Sequence, residues 1–212
     1  MPTYYTYFIS SLPMLHFGMK PPFSYGRFIA MCKGLILDED ITLIKALPEL
    51  EIDRINPSTT LRIDGERPFN SFHSLRVVPS GAEGRSRTIK DISNQTVRKW
   101  FMFDTGLRNE LVRQRAVRLH KDPNQYLRMD GYADLSITHI ALSAYRNPAI
   151  LEAEKILDYA RWSALEELAM GHYFDSDALF IYALKLLIVE RWEKIKEADK
   201  PKLFEEVIQE SR

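Results

Sequence analysis

Five histidines, one cysteine and several neighbouring carboxylates are the side chains in this sequence that most often do chemistry. His16, His73, His120, His139 and His172 are scattered. None has a second histidine four residues away or a glutamate three residues before it, so no helical zinc or di-iron site is expected, and each reads as an isolated surface or satisfied histidine. Cys32 falls on the apolar face of a predicted helix, where a free thiol acts as a small hydrophobe. Glu166-Glu167 and Glu205-Glu206 point to different sides of a helix, so neither pair can share a proton. Gly81-Ala82-Glu83-Gly84-Arg85-Ser86-Arg87 lacks the Gly-Lys-Ser/Thr ending of a phosphate-cradling loop and reads as a flexible tip. No nucleophile, base and orienting group can be named together, so an enzyme is the least supported class, and no cofactor and no metal are expected.

The basic residues are more informative. Residues 85–128 hold 11 Lys/Arg against 4 Asp/Glu, and residues 147–212 hold 9 against 14, so a +7 segment and a −5 segment hide inside a net charge of zero. On a helix turning 100° per residue, Val97, Phe101, Leu107, Leu111, Val112 and Leu119 share a face about 140° wide. Asp104, Arg108, Arg115 and Arg118 lie inside that face. Asp104 and Arg108, four apart, are expected to form an ion pair. Arg115 and Arg118 have no acidic partner in their own helix. Burying unpaired guanidinium groups costs several kcal/mol, so these arginines must meet carboxylates from elsewhere, snorkel, or contact another molecule. Pairing with the acidic C-terminal helices is preferred over partner binding. Arg85, Arg87, Arg108, Arg115 and Arg118 are the candidate partner-binding residues.

The elements that must carry these groups are helical. Ser24 is the expected N-cap of a helix through Phe28, Cys32 and Leu35, and a second helix is expected from Asp38 to Leu47, stopped by Pro48. Asp91 or Ser93 should open a helix continuing to Lys121, provided Gly106 does not break it. Asn147-Pro148 caps another, which should reach Met170 before Gly171, and Asp175 or Ser176 opens the last, to about Ala198, with Lys202–Glu210 adding a turn or two. The aromatic stretch Tyr4–Ser10 reads as extended. From Glu51 to Thr88, Pro57, Pro68, Pro79, Gly65, Gly81 and Gly84 leave only short helices and loops. The expected fold is all-α, one helical domain over 1–212, with room for an internal division near 80–90.

The N-terminus has no basic n-region, and its only apolar candidate segment is interrupted by Pro13, so no secretory signal is expected. The longest apolar run, Ala178 to Val189, contains Lys185 and is well short of the ~20 residues that a membrane span needs. One free cysteine fits a reducing cytoplasm.

Several ordered motifs resemble a known family. Tyr5-Thr6-Tyr7-Phe8-Ile9-Ser10-Ser11-Leu12-Pro13, followed by Pro21-Pro22 and Ser24-Tyr25, resembles the start of a bacterial family of unknown function encoded among V-type ATPase subunits. Arg108-Asn109-Glu110-Leu111 with Arg115-Ala116 is similar to the same family and, more loosely, to the funnel-like, C-type socket protein of the V/A-type ATPase central stalk. Trp162, Tyr182-Ala183-Leu184-Lys185-Leu186 and Arg191-Trp192 continue the similarity, which in order covers most of the chain. The resemblance implies a non-catalytic, multi-helix V-type ATPase bundle of that C-type, a socket in the central stalk between the membrane rotor ring and the rotating shaft. It also implies ring and shaft as partners, a cytoplasmic location at the inner membrane through the complex, and membrane contact through partners alone. The chain is markedly shorter than a full-length C-type socket, so a reduced socket or an assembly factor is also consistent.

An RNA-binding helical adaptor using residues 85–128 is the alternative from another class. It is the weaker one, because the aromatics that stack on bases are concentrated far away, near the N-terminus, and the total charge is zero.

Overall fold

A computed structural model describes residues 4–54, 92–128, 131 and 134–210. Among these residues the fold is all-α, with no strand: α1 (Tyr5–Ser11), α2 (Tyr25–Cys32), α3 (Asp38–Arg54), α4 (Gln95–Arg118), a 3-10 turn (Pro123–Gln125), α5 (Leu135–Arg146), α6 (Ile150–Ala169) and α7 (Ser176–Glu210). The chain divides into two compact units, one of Met1–Pro48 with Leu165–Arg212 and the other of Glu49–Ala164. Arg85, Arg87, the Gly81–Arg87 loop, the expected short helices of 55–88 and the 80–90 stretch lie outside the described residues.

The first unit is built on α7. Phe28 on α2 is the centre of an aromatic cluster, with Phe8 at 6.2 Å, Phe23 at 6.3 Å, Tyr25 at 6.1 Å and Tyr182 of α7 at 5.4 Å between ring centroids. The stretch after α1 then follows α7. Tyr182 donates to the Pro13 carbonyl (3.0 Å), Phe17 meets Trp192 edge-on, and Lys196 donates to the Gly18 carbonyl (2.9 Å). Burial pushes the Tyr182 phenol up to about 12. The thiol of Cys32 is fully buried and is likewise pushed up to about 12, which fits its reading as a core hydrophobe.

Local preference misleads at two places in this unit. Tyr4–Ser10 is not extended; it forms most of α1. Aromatic composition favours strands, but nothing here offers a ladder, whereas a helix places Tyr5 and Phe8, three apart, on one buried face with Tyr4 and Tyr7 exposed. Tyr5 also donates to the Asp40 carboxylate in the first turn of α3. The second place is Pro48, which does not stop α3; the helix runs on to Arg54. Proline leaves the Ile44 carbonyl without its helical donor, and the buried phenol of Tyr25 supplies one instead.

Caps account for most other boundaries. Ser24 accepts from Arg27 N–H, as expected, and Glu190 of α7 accepts from Tyr25 N–H at 2.7 Å, placing a carboxylate at the positive end of the α2 dipole. α2 stops at Cys32, before Leu35, where Gly34 takes φ +81°. Gly171, at φ +90°, follows α6, as its position predicts. α7 continues without interruption to Glu210, past the expected Ala198.

The second unit packs α4, α5 and the first turns of α6 around Leu107, Leu111, Ile137 and Leu157, with Ala141, Ala144 and Ala153 small enough to let the helices approach closely. Asn94, rather than Asp91 or Ser93, caps α4 through Val97 N–H (2.8 Å). Gly106 leaves α4 unbroken. α4 ends at Arg118, three residues before Lys121, in a paired turn where His120 N–H donates to Val117 and Lys121 N–H to Ala116. His120 sits there at φ +52°. Asn147 ends α5, and its side chain accepts from Ala149 N–H in a turn that leads into α6, which starts at Ile150, two residues later than a cap at Asn147 with Pro148 at the first helical position predicts.

A braced ionic cluster as the candidate functional site

In the second unit, the buried face of α4 carries charge because that charge is matched. Arg108 Nε donates to one oxygen of Asp104 at 2.7 Å, the expected pair. The other oxygen accepts from Arg161 Nε of α6 at 2.8 Å, and Arg161 Nη1 donates to Asp158 at 2.7 Å. Asp104, Asp158 and Arg161 are all buried. Burial works against the Arg161 charge, but Asp104 and Asp158 more than reverse it, so the guanidinium is held more strongly protonated than in water. One carboxylate of α4 is therefore locked to α6 by a planar fork that tolerates little sliding.

A second fastening lies one residue along. The Asn109 amide donates to the Arg128 carbonyl (2.8 Å) and accepts from Arg128 N–H (3.0 Å), as one strand would from another. This clasp brings the following stretch onto α4 so closely that a Cβ on Gly131 would meet Gly106 backbone atoms at 3.2 and 3.3 Å. The Arg128 guanidinium is made less basic by burial and by Arg108, with Asp104 opposing.

The other predicted arginines separate. Arg115 is partly buried, and burial lowers its basicity while Glu154 of α6 and Tyr145 of α5 oppose that. Its acidic neighbour thus comes from the C-terminal third, as the charge division suggests. Arg118 is exposed on the last turn of α4. Sequence reasoning missed Asp158, Arg161, Asn109, Arg128 and the Arg113–Glu110 pair. The signal in the sequence was Asp158 and Arg161 as the charged residues in a largely apolar run from Ile156 to Leu165.

One histidine of the first unit is satisfied by neighbouring carboxylates. The Nδ1 of His172 lies 2.6 Å from Asp175 and 3.6 Å from Asp177. The loop between α6 and α7 turns sharply at Gly171 and returns the imidazole to the residue that caps α7. Asp175 accepts from Ala178 N–H at 2.9 Å with its other oxygen. Burial tends to raise the Asp175 carboxyl, but the His172 hydrogen bond and the cap outweigh it, so the group lies below its usual range. The three residues offer ligand atoms within 4.8 Å of one another, and helix capping accounts for the grouping.

Chemically, the ionic cluster is a brace. Both oxygens of Asp104 face guanidinium donors, which favours the charged, acceptor-only form and disfavours proton transfer. No described helix is long and apolar enough to cross a membrane. Fold and site together define a helical protein whose bundle is cross-tied by buried ion pairs. The family described as "Protein of unknown function (DUF2764)" has a model that matches residues 135–211, less than half of the chain, covering α5, α6 and α7. No curated protein and no solved structure matches the chain.

Proposed function

We propose that this protein is a non-catalytic component of the central stalk of a V-type ATPase or ATP synthase. It acts as a socket that links the membrane rotor ring to the rotating shaft and so couples ATP turnover to ion transport. The observation that supports the reading is the Asp104 carboxylate held by guanidinium groups from both α4 and α6. A part that transmits torque must resist sliding of one helix past another, and a buried fork of ion pairs serves register better than apolar contact does. The ordered motifs resembling that family supply the biological context. Arg118, with Arg115, is the described part of the partner-facing surface, and contact with the membrane is made through the ring.

Residues 85–128 as an RNA-binding surface are disfavoured by the commitment of Arg108 to Asp104 and of Arg113 to Glu110, which withdraws two cations from any phosphate backbone. The test is fractionation of native membranes carrying the untagged protein. The expected result is co-purification with the rotor ring and the shaft. Recovery of the protein wholly in free cytosolic fractions, while the ATPase stays intact without it, overturns the proposal.

A further inference from the structure

The loop joining α6 to α7 exposes three large apolar side chains within five residues: Met170 is 75% exposed, Tyr173 72% and Phe174 52%. Water-facing aromatics in a floppy loop would mean little, but this loop is tied at each step. Met170 N–H donates to Glu167 and His172 N–H to Ala169, Gly171 makes the turn at φ +90°, and His172 is fastened to Asp175, which caps α7. The aromatics are thus presented by an ordered turn, so docking would cost little further ordering. Tyrosine with an adjacent phenylalanine is the composition of an interface anchor.

The surroundings decide what it anchors to. Glu166 and Glu167 are exposed at the end of α6, Asp175 and Asp177 are partly exposed at the start of α7, and no Lys or Arg occurs between Arg161 and Lys185. Lys185 lies 3.4 Å from Glu166. An apolar tip flanked along the chain by four carboxylates is repelled by anionic lipid and by phosphate backbones. It complements a protein surface with an apolar pocket rimmed by Lys and Arg. We propose that the α6–α7 tip is a docking plug for such a protein, with Tyr173 and Phe174 entering the pocket and Glu166, Glu167, Asp175 and Asp177 meeting its basic rim. The proposal rests on one unit alone and does not depend on the rotary reading.

The experiment places the photo-cross-linker p-benzoylphenylalanine at position 173, 174 or, as a control, at exposed Tyr159, in the full chain expressed in its native cells. The expected result is one discrete protein adduct from 173 and 174 and none from 159, with the cross-linked partner peptide carrying Lys or Arg. Glu166→Lys combined with Glu167→Lys, both on the surface and checked by thermal melting, is expected to lower the adduct yield about tenfold by placing like charges together. Adducts to lipid only or to a second copy of this chain, no discrete adduct, or a yield indifferent to charge reversal would each overturn the proposal.

Discussion

The phenol of Tyr25 donates a 2.7 Å hydrogen bond to the main-chain carbonyl of Ile44, the group that Pro48 deprives of its helical donor. A proline inside a helix normally leaves that carbonyl to water or bends the helix away from it. Here the carbonyl is buried against α2, and a side chain from another helix satisfies it. Tyr25→Phe is therefore expected to cost about 1–3 kcal/mol, the cost of leaving a buried acceptor bare. In a Pro48→Ala background the new N–H at position 48 competes for the same carbonyl, so the same Tyr25 change should cost measurably less. Urea titrations of the four proteins in the cycle check this, and strict additivity would exclude the compensation.

The second prediction concerns the brace. Arg161→Met leaves Asp104 and Asp158 buried with one fewer cation and should destabilise the protein by about 3–5 kcal/mol. Arg161→Lys should recover only part of that, because an ammonium cannot reach both carboxylates with the guanidinium's fork geometry. The midpoint of guanidinium chloride unfolding reads the order. Equal stability of the Lys variant and the parent would show that charge alone, not the fork, ties α4 to α6.

His120 closes α4 in a left-handed conformation that a side chain pays for and glycine does not. His120→Gly is expected to stabilise the protein by about 1 kcal/mol, seen as a higher melting temperature. Ala at the same position should bring no gain, since it keeps the Cβ. A melting temperature that falls with glycine would mean that the imidazole makes a contact worth more than the strain.

Asp175 connects stability to acid. Its carboxyl lies lower in the folded chain than its ordinary value of 3.8. It therefore contributes stability that is fully present above that ordinary value and is lost as the pH falls through the folded value. Asp175→Asn keeps an N-cap acceptor but cannot titrate. The stability gap between parent and variant should close below about pH 4, at the unfolded carboxyl range. Urea midpoints from about pH 5 to pH 3, below the range in which an imidazole ordinarily titrates, follow this directly, and a gap that widens across that range would reverse the assigned sign.

Gly131→Ala is expected to cost about 1–3 kcal/mol as an overpacking change. The new Cβ would lie 2.5 Å from the Asn109 amide nitrogen and just above 3 Å from the Gly106 backbone. Asn109 cannot retreat without releasing its double hydrogen bond to Arg128. Amide exchange at Arg128 should accelerate in the variant. Unchanged exchange together with unchanged stability would falsify the clasp.

What could be read from the chain and what could not follows from the range of the forces involved. Ser24 and Asp175 announced helix starts because a cap is an interaction over two or three residues, and Asp104 with Arg108 announced an ion pair because four residues make one helical turn. The all-α class followed from the same local periodicity. Tyr4–Ser10 and Pro48 misled because their local preferences, for strand and for helix termination, are worth only about 1–3 kcal/mol. Burying Tyr5 and Phe8 together, and giving Ile44 a phenol donor, outweighed them. Arg161 on Asp104, 57 residues away, and the Asn109 clasp on Arg128 have no local signature at all. The sequence by itself determined where helices form and that unmatched arginines on an apolar face needed partners. Only the tertiary structure decided that Arg115 faces Glu154 and that Asp104 is held by Arg161, because charge pairing across a fold depends on which helices pack together, and that is set by the summed burial of many side chains.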